Sequence, residues 1–563
     1  MVRSLVCFCL VLASSNLGSS FKNLENDKLR ICIEEGCFVG KYFEGLIPGS
    51  RFRGYLGVPF AKPPIGDLRF RNPQPVEPWD GDYDASFERS KCVQKNDLWP
   101  EQQVEGSEDC LYMNVFVPEV PKRESIPVMV FIHGGGFFFG SSSMGELGPE
   151  RFVDTGEVIL VVIQYRLGVF GFLSTGDGAA TGNFGLKDQT AALRWIQRNI
   201  AKFGGDPEKV TIFGQSAGGA SVQMHMLSPL SRGLFSKAIV MSGNSLGFLT
   251  WPLEDPLKFA RQQAAAVGIE SVDTISSEDL VKALRVVDAI ELAASIDKLK
   301  FWHVFPLTAY RPVVETFIDD ETFIAEEPRV LWAQGKYTQV PWMTGFVPNE
   351  GAFTSLAILL NETLLEELNE NSQELIPQLV GCKQSEKTSR MLRERFFPGG
   401  TAERWLTEDN AKNIQVLLSE AQIKYPLALG AKQHITSNDP NKSSLQMYYF
   451  AFKSNHSYSK YFAKTDQDSG VCHSDDLSYL FRSRDLFEDY SFMSPEATMS
   501  GRFVDFFIKF VYDRNHGMLN CTDLRCKMLK FSNSNDKFFP IEETFVLAID
   551  EELVAFWDEI YSQ

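Results

Sequence analysis

Val210-Thr-Ile-Phe-Gly-Gln-Ser-Ala-Gly-Gly219 joins a β-branched apolar run to a segment with helical spacing. A strand that turns directly into a helix at a serine exposes that side chain at the edge of a sheet. Glycines two residues before and two residues after the serine let the neighbouring backbones pass. The G-x-S-x-G pattern is short enough to occur by chance, so the prediction depends on the strand and the helix around it. In that setting, we predict that Ser216 is an exposed nucleophile.

A second glycine-rich turn lies some eighty residues before this serine, in FIHGGGF at 131–137. It follows an apolar strand, and glycines there let backbone amides point at a substrate oxygen without interference from a Cβ atom. A simple tight turn is the alternative interpretation. We predict that the N–H groups of Gly135, Gly136 and Ala217 form an oxyanion hole, because the start of a helix also offers N–H groups and partial positive charge.

A serine nucleophile needs a base and an acid, and the chain has only seven histidines. His473, in GVCHSDDL at 470–477, follows the last clear strand candidate, where the chain order Ser, acid, His would place the base. Glu350, in NEG at 349–351, follows a strand candidate and precedes a glycine. Composition alone does not choose Glu350 over other acidic residues, and Glu327 and Asp475 remain alternatives. The residues therefore predict Ser216 as the nucleophile and His473 as its base, with Glu350 as one candidate for the acid.

The rest of the chain predicts an α/β fold with a large, mostly parallel central sheet flanked by helices, because short β-branched runs alternate with helical stretches. Nothing marks a domain boundary, so residues 21–563 are expected to form one domain. The clearest strand candidates are Val128–Ile132, Val158–Gln164, Val210–Phe213, Ala238–Met241 and Met447–Phe452, and the clearest helices are Asp188–Ile200 and Ala217–Leu227.

Composition excludes several classes of protein. Of 563 residues, 44% are hydrophobic, which is enough to bury a large core and excludes a disordered chain. The 55 Lys and Arg against 73 Asp and Glu give a net charge of −18. Binding to nucleic acid or to anionic lipid needs a basic face, so neither partner is expected.

The first twenty residues have the pattern of a signal peptide. Arg3 precedes the apolar run Leu5–Ala13, and small polar residues follow up to Ser20. Nine apolar residues are too few to span a bilayer, which needs about 20, and no later run is long enough for a membrane anchor. The chain is therefore expected to be secreted and extracellular. Four sequons agree with this, at Asn361, Asn441, Asn455 and Asn520.

Taken together, the motifs resemble those of the type-B carboxylesterase and cholinesterase family over nearly the whole chain. The motifs are EDCLYMN at 108–114, HGGGF at 133–137, GNFGLKDQ at 182–189, GQSAGG at 214–219, NEG at 349–351 and GVCH at 470–473. The resemblance implies an α/β-hydrolase fold, the triad Ser216, His473 and Glu350, and an oxyanion hole from Gly135, Gly136 and Ala217. It also implies that Ser242 lies behind the triad, that the substrate is a small-molecule ester, and that no metal or organic cofactor is required.

Among members of this family, the chain is most similar to insect esterases, and GQSAG with HSDDLSYLF is similar to the juvenile hormone esterase group. Members that act on choline esters usually carry Glu immediately before the nucleophile, whereas this chain has Gln215. The resemblance therefore favours neutral lipophilic esters, including juvenile-hormone-type methyl esters. A cholinesterase-like neurotransmitter esterase and a non-catalytic adhesion protein are the alternative functions, and a lipase or thioesterase would use the same chemistry.

The cysteines give a further set of expectations. Removal of the signal peptide leaves eight of the ten. The family's aromatic loop is closed by a disulfide, which the resemblance assigns to Cys92 and Cys110. There is no cysteine between Cys110 and Cys382, so the family's middle disulfide is missing. Further short-range pairs are expected between Cys32 and Cys37 and between Cys521 and Cys526, which leave Cys382 and Cys472.

Overall fold

The computed structural model describes residues 28–96, 98, 101–437, 443–465, 468–513, 521–522, 525–533 and 540–563. The predicted signal peptide and the sequons at Asn441 and Asn520 lie outside these residues. The other two sequon asparagines, Asn361 and Asn455, are exposed.

The strands of the described chain form two sheets. Their bounds are β1 Arg30–Cys32, β2 Cys37–Val39, β3 Lys41–Glu44, β4 Arg51–Pro59, β5 Asp82–Asp84, β6 Tyr112–Pro118, β7 Ile126–Ile132, β8 Ile159–Ile163, β9 Gly205–Gln215, β10 Lys237–Met241, β11 Trp342–Phe346, β12 Leu445–Ala451, β13 Cys521–Thr522, β14 Arg525–Asn533 and β15 Pro540–Ala548.

The larger sheet has twelve strands in the order β13-β14-β12-β11-β10-β9-β7-β8-β6-β4-β3, with β15 paired to β14. From β8 through β14 along this order, neighbouring strands are parallel, and antiparallel strands extend both ends. β7 and β8 are apolar and buried at every position, as expected for parallel strands covered on both faces. The prediction of a large, mostly parallel sheet is confirmed.

Helices cover both faces of this sheet. The α-helices are Glu150–Val153, Gly168–Phe172, Phe184–Asn199, Ala217–Leu227, Pro256–Ala266, Ser277–Arg285, Ala289–Ala294, Pro328–Ala333, Ala352–Leu359, Glu362–Glu370, Ser372–Leu379, Glu386–Phe396, Asn413–Ser419, Tyr425–Ser437, Ser459–Ala463, Leu477–Leu480, Pro495–Val511 and Glu551–Tyr561, with a π-helical segment at Glu420–Lys424. Within the described ranges, none of these helices is long and apolar enough to cross a membrane.

Alternate residues of the central strands enter two separate cores. Val128 and Val130 of β7 belong to one buried cluster, whereas Met129 and Phe131 belong to the other. This follows from the period of two along a strand, which sends neighbouring side chains to opposite faces. The sheet is therefore a rigid layer packed on both sides, and the loops at its edge are held by it.

Predicted and observed elements differ mainly at their ends. The helix Ala217–Leu227 has the predicted bounds, but the helix predicted to begin at Asp188 begins at Phe184. The residue before it, Asn183, has a left-handed backbone with φ of 57°, and the first helical residues are buried. The strand predicted over Val210–Phe213 extends to Gly205–Gln215, since β7 and β10 pair with it on either side.

The described residues contain the disulfides Cys32–Cys37 and Cys92–Cys110. Cys382 and Cys472 are free thiols, and Cys472 is buried. The backbones of Cys521 and Cys526 pair directly across β13 and β14, but their side chains lie outside the described part of the chain.

Candidate active site

Ser216 occupies a strained turn between β9 and the helix Ala217–Leu227. Its φ of 57° and ψ of −123° lie outside the regions that side-chain-bearing residues normally adopt. The turn is tight enough that a Cβ on Gly214 would clash with the backbone of Gly218, and one on Gly218 would clash with the carbonyl of Ile132. The two glycines are therefore required by packing, and the strain at Ser216 is held by the sheet.

Glu350 and His473 are in direct contact in the structure. Nδ1 of His473 lies 2.6 Å from Oε2 of Glu350, and both side chains are buried. The other carboxylate oxygen accepts hydrogen bonds from Ser242 Oγ at 2.7 Å and from the Val347 amide at 2.8 Å. With the carboxylate held by these donors, Nδ1 carries the proton and Nε2 presents a lone pair in the neutral imidazole.

The loops that carry Glu350 and His473 are joined to each other. The Asn349 amide donates to the Val471 carbonyl at 3.1 Å, and Asn349 pairs with Cys472 as an isolated β-bridge. Gly470 has a φ of 78°, and a Cβ there would clash with the Asn349 side chain. The backbone thus fixes the distance between Glu350 and His473 independently of their side chains.

Two further side chains contact the imidazole of His473. Nε2 of Gln215 lies 3.1 Å from Nε2 of His473. The Phe353 ring lies over the imidazole with 4.6 Å between ring centroids and 30° between planes. In the described chain, no hydrogen bond joins Ser216 Oγ to His473, so the resting contact of Nε2 is with the amide of Gln215.

The glycine-rich turn lies opposite Ser216. Gly135 and Gly136 both have positive φ, at 99° and 58°, and the Gly135 carbonyl accepts from the amides of Phe138 and Phe139 at 2.9 and 3.0 Å. Both glycines line the same cavity as Ser216 and Ala217. As the first residue of its helix, Ala217 has an amide without an intrahelical acceptor.

The other candidate bases and acids are engaged elsewhere. Burial lowers the pKa of His133 to about 4, and its ring stacks on Tyr165 with 4.4 Å between centroids. Glu327 is exposed at the start of the helix Pro328–Ala333. Asp475 accepts hydrogen bonds from the Tyr458 amide at 2.7 Å and the Cys472 amide at 2.8 Å. Of Glu327, Asp475 and Glu350, the acid whose carboxylate contacts the imidazole of His473 is Glu350.

A cavity opens around Ser216. Most of its wall is apolar, and among the described residues none of the side chains that line it is acidic. The apolar lining residues are Leu98, Phe137, Phe138, Phe139, Ala217, Ala220, Leu249, Leu307, Phe353, Ile423 and Phe462. An ester carbonyl carbon placed next to Ser216 would lie against polar groups, and its substituents would be surrounded by apolar side chains.

Asp476 is a buried carboxylate near His473, and no pattern in the sequence identifies it. Asp476 is fully buried, Tyr448 OH donates to its Oδ2 at 2.9 Å, and its Oδ1 has no hydrogen-bond partner. Burial raises the pKa of Asp476 to about 7, and the negative charge of Glu350 adds to this effect.

Because the folded-state pKa of Asp476 lies above the unfolded value of about 3.9, the folded protein binds more protons between about pH 4 and 7. The contribution of Asp476 to the free energy of unfolding should therefore fall as the pH rises through that window and stay low above pH 7. Asp476→Asn keeps an acceptor for Tyr448 and removes the charge, so it should raise the free energy of unfolding at pH 8 by about 1–3 kcal/mol. The effect should be small at pH 4.5.

Denaturant unfolding at both pH values measures this difference. Asp409→Asn, at an exposed position, is the control and should change neither value. An equal effect of Asp476→Asn at both pH values would contradict the raised pKa.

Comparisons with known proteins show the family to which the chain belongs. The model of the carboxylesterase family matches residues 28–557. The juvenile hormone esterase of Tribolium castaneum is 39% identical over 489 residues, covering 84% of this chain and 82% of that protein. Venom carboxylesterase-6 of Apis mellifera is 36% identical over 445 residues, covering 77% of each.

A solved structure shows the same architecture. The crystal structure of juvenile hormone esterase from Manduca sexta, with OTFP covalently attached, superimposes with a TM-score of 0.80 at 26% sequence identity. The match covers 95% of this chain and 100% of the solved one.

Proposed function

The chain belongs to the carboxylesterase family and is a carboxylic ester hydrolase, and we propose that it cleaves neutral lipophilic esters through an acyl-enzyme formed on Ser216. The observation that carries this proposal is the geometry at the end of β9. There a half-buried serine, an imidazole hydrogen-bonded to a buried carboxylate and the start of a helix all face one apolar cavity.

In the proposed mechanism, His473 Nε2 takes the proton from Ser216 Oγ as that oxygen attacks the ester carbonyl. Glu350 holds the proton on Nδ1 and stabilises the imidazolium that forms. The amides of Gly135, Gly136 and Ala217 donate to the tetrahedral oxyanion. His473 then protonates the departing alcohol, and water repeats the cycle to release the acid.

The proposed substrate class follows from the wall of the cavity. Phenylalanine and leucine side chains surround the serine, and the residue beside it is the uncharged Gln215. A choline headgroup would lose its hydration there without gaining a carboxylate partner from the described wall. Relatives named juvenile hormone esterases support a juvenile-hormone-type methyl ester as one candidate substrate.

Two matched acetate esters test this substrate class. Acetylcholine and 3,3-dimethylbutyl acetate have the same shape, but only the first is charged. We expect kcat/KM for the charged ester to be about 10–100-fold lower, because its cation is desolvated without a carboxylate partner and the phenylalanine faces offset only part of that cost. A nitrophenyl ester series of rising acyl length and a juvenile-hormone-type methyl ester, assayed in parallel, would then define the preferred lipophilic group.

A higher kcat/KM for acetylcholine than for its uncharged counterpart would favour the alternative, a cholinesterase-like neurotransmitter esterase. Absence of hydrolysis across the whole panel would instead contradict the proposed acyl-enzyme chemistry.

We further propose that the protein is secreted as one domain of residues 21–563, after removal of residues 1–20, and is glycosylated. The apolar run Leu5–Ala13 and the disulfides Cys32–Cys37 and Cys92–Cys110 support an oxidising, extracellular location. Exposed Asn361 and Asn455 are accessible to glycan attachment, and Asn441 and Asn520 are further candidates by sequon alone.

A further inference from the structure

We propose that Gln215 is a positioning residue that holds the resting base: its side-chain amide donates to Nε2 of His473 and must release that nitrogen before Ser216 can transfer its proton. The inference rests on the proposed function and adds a step to it. It assigns Gln215 a role in controlling the base, separate from its lack of charge.

The direction of this hydrogen bond is set by Glu350. Its carboxylate lies 2.6 Å from His473 Nδ1 and fixes the proton there. The neutral imidazole therefore has only an acceptor at Nε2, and the amide nitrogen of Gln215, 3.1 Å away, is the donor. The same lone pair is the one that must accept the proton of Ser216.

Packing holds the amide in this orientation. Gln215 is only 2% exposed, and its backbone is fixed by pairing with Met241 across β9 and β10. A Cβ on Gly134 would lie 2.9 Å from the Gln215 amide oxygen, so that oxygen packs against the glycine-rich turn. With the oxygen on that side, the amide nitrogen faces the imidazole.

Two donors thus share one acceptor. While Gln215 donates to Nε2, the neutral form of the imidazole is stabilised, and a proton arriving at Nε2 must displace the amide. An ester that brings Ser216 Oγ into line with Nε2 would exchange one hydrogen bond for the other. The free enzyme should therefore keep an active, unprotonated base to lower pH than it would without Gln215.

Other titratable groups act on the same imidazole, so the pH test must separate them. Glu350 bonds to His473 directly, and the charge of Asp476 acts on it. Glu350 in turn interacts electrostatically with titratable groups on three other segments. These groups are Lys424 in the π-helical segment, Tyr448 and Tyr449 in β12, and Cys472 in the loop before His473. None of these groups is changed by substitution of Gln215.

The test is the pH dependence of kcat/KM for a neutral nitrophenyl ester in the full-length enzyme and two variants. Gln215→Met keeps the length of the side chain and removes the donor. We expect it to move the midpoint of the acidic limb upward by about 0.5–1 pH unit, with the plateau changed less than about threefold. Gln215→Glu replaces the amide beside Nε2 with a carboxylate, which favours the imidazolium. It should move the midpoint upward by about 1–2 pH units.

Gln422→Met, at another glutamine in the wall of the cavity, is the matched control and should leave the midpoint unchanged. The difference between wild type and Gln215→Met should persist when both carry Asp476→Asn, because Asp476 is a separate titrating group. The pH dependence of Ser216 labelling by a neutral organophosphate gives the same midpoint without turnover.

A midpoint that is the same in wild type and Gln215→Met, with only the plateau altered, would overturn the proposal and reduce Gln215 to a packing role. If Gln215→Met does not fold, Gln215→Glu provides the test. An unchanged midpoint in Gln215→Glu would show that residue 215 does not contact Nε2 of His473. Either result leaves ester hydrolysis by the wild type intact. Failure of the proposed function would instead appear as absent hydrolysis and absent labelling of Ser216 in the wild type.

Discussion

Ser216→Ala should lower kcat/KM for any ester that the wild type cleaves by about 10⁵–10⁶-fold, with no change in melting temperature. The substitution removes the only atom that forms the acyl-enzyme, and the oxyanion hole and substrate binding account for the residual rate. Alanine also fits the strained turn as well as serine does, since the φ of 57° is imposed by the packing of Gly214 and Gly218. Initial rates and thermal melts of the same preparations measure both quantities.

Ser236→Ala is the control, because Ser236 Oγ donates to the carbonyl of Val210 in the middle of β9, away from the turn at Ser216. It should retain activity. In the wild type, an organophosphate should add to Ser216 alone, and mass spectrometry of the labelled peptide tests this directly. An adduct on a different serine, or turnover that survives Ser216→Ala, would show that the nucleophile has been misassigned.

Much of the fold and part of the site are predictable because their signals are local. The turn at Ser216 combines an apolar strand, two glycines and a helix within ten residues, and both glycines are needed for steric reasons that the structure displays. The helix Ala217–Leu227 has its predicted bounds for the same reason. Strand ends are less predictable, since β9 is lengthened by pairing with β7 and β10, which no local pattern encodes.

Contacts between distant segments could not be read from residue types. The family resemblance, and not the residue types, points to Glu350, because contacts such as the hydrogen bond from Ser242 join residues 108 positions apart. The contact of Gln215 with His473 spans 258 positions, and burial of Asp476 depends on how Tyr448 of β12 packs against it. Such contacts depend on tertiary placement, which a single sequence does not contain.

The role of Glu350 has a physical basis that a neutral substitute cannot reproduce. Its Oε1 accepts two hydrogen bonds, from Ser242 Oγ and the Val347 amide, and its Oε2 accepts the Nδ1 proton of His473. Glutamine has one oxygen, and the two donors at Oε1 would hold that oxygen in place. Its NH₂ group would then face Nδ1, which must give up its proton and accept instead, and the proton would move to Nε2.

Glu350→Gln should therefore lower kcat by about 10³–10⁴-fold with little change in KM, because the wrong tautomer leaves His473 without a base at Nε2 while the cavity is unchanged. Changing the pH of the assay should not restore activity, since the substitution changes which nitrogen of the neutral imidazole carries the proton. Glu327→Gln, at an exposed glutamate, is the matched control and should be fully active. Retention of more than about a tenth of wild-type kcat by Glu350→Gln would mean that another group orients His473, and a damaging Asp475→Asn would then identify that group.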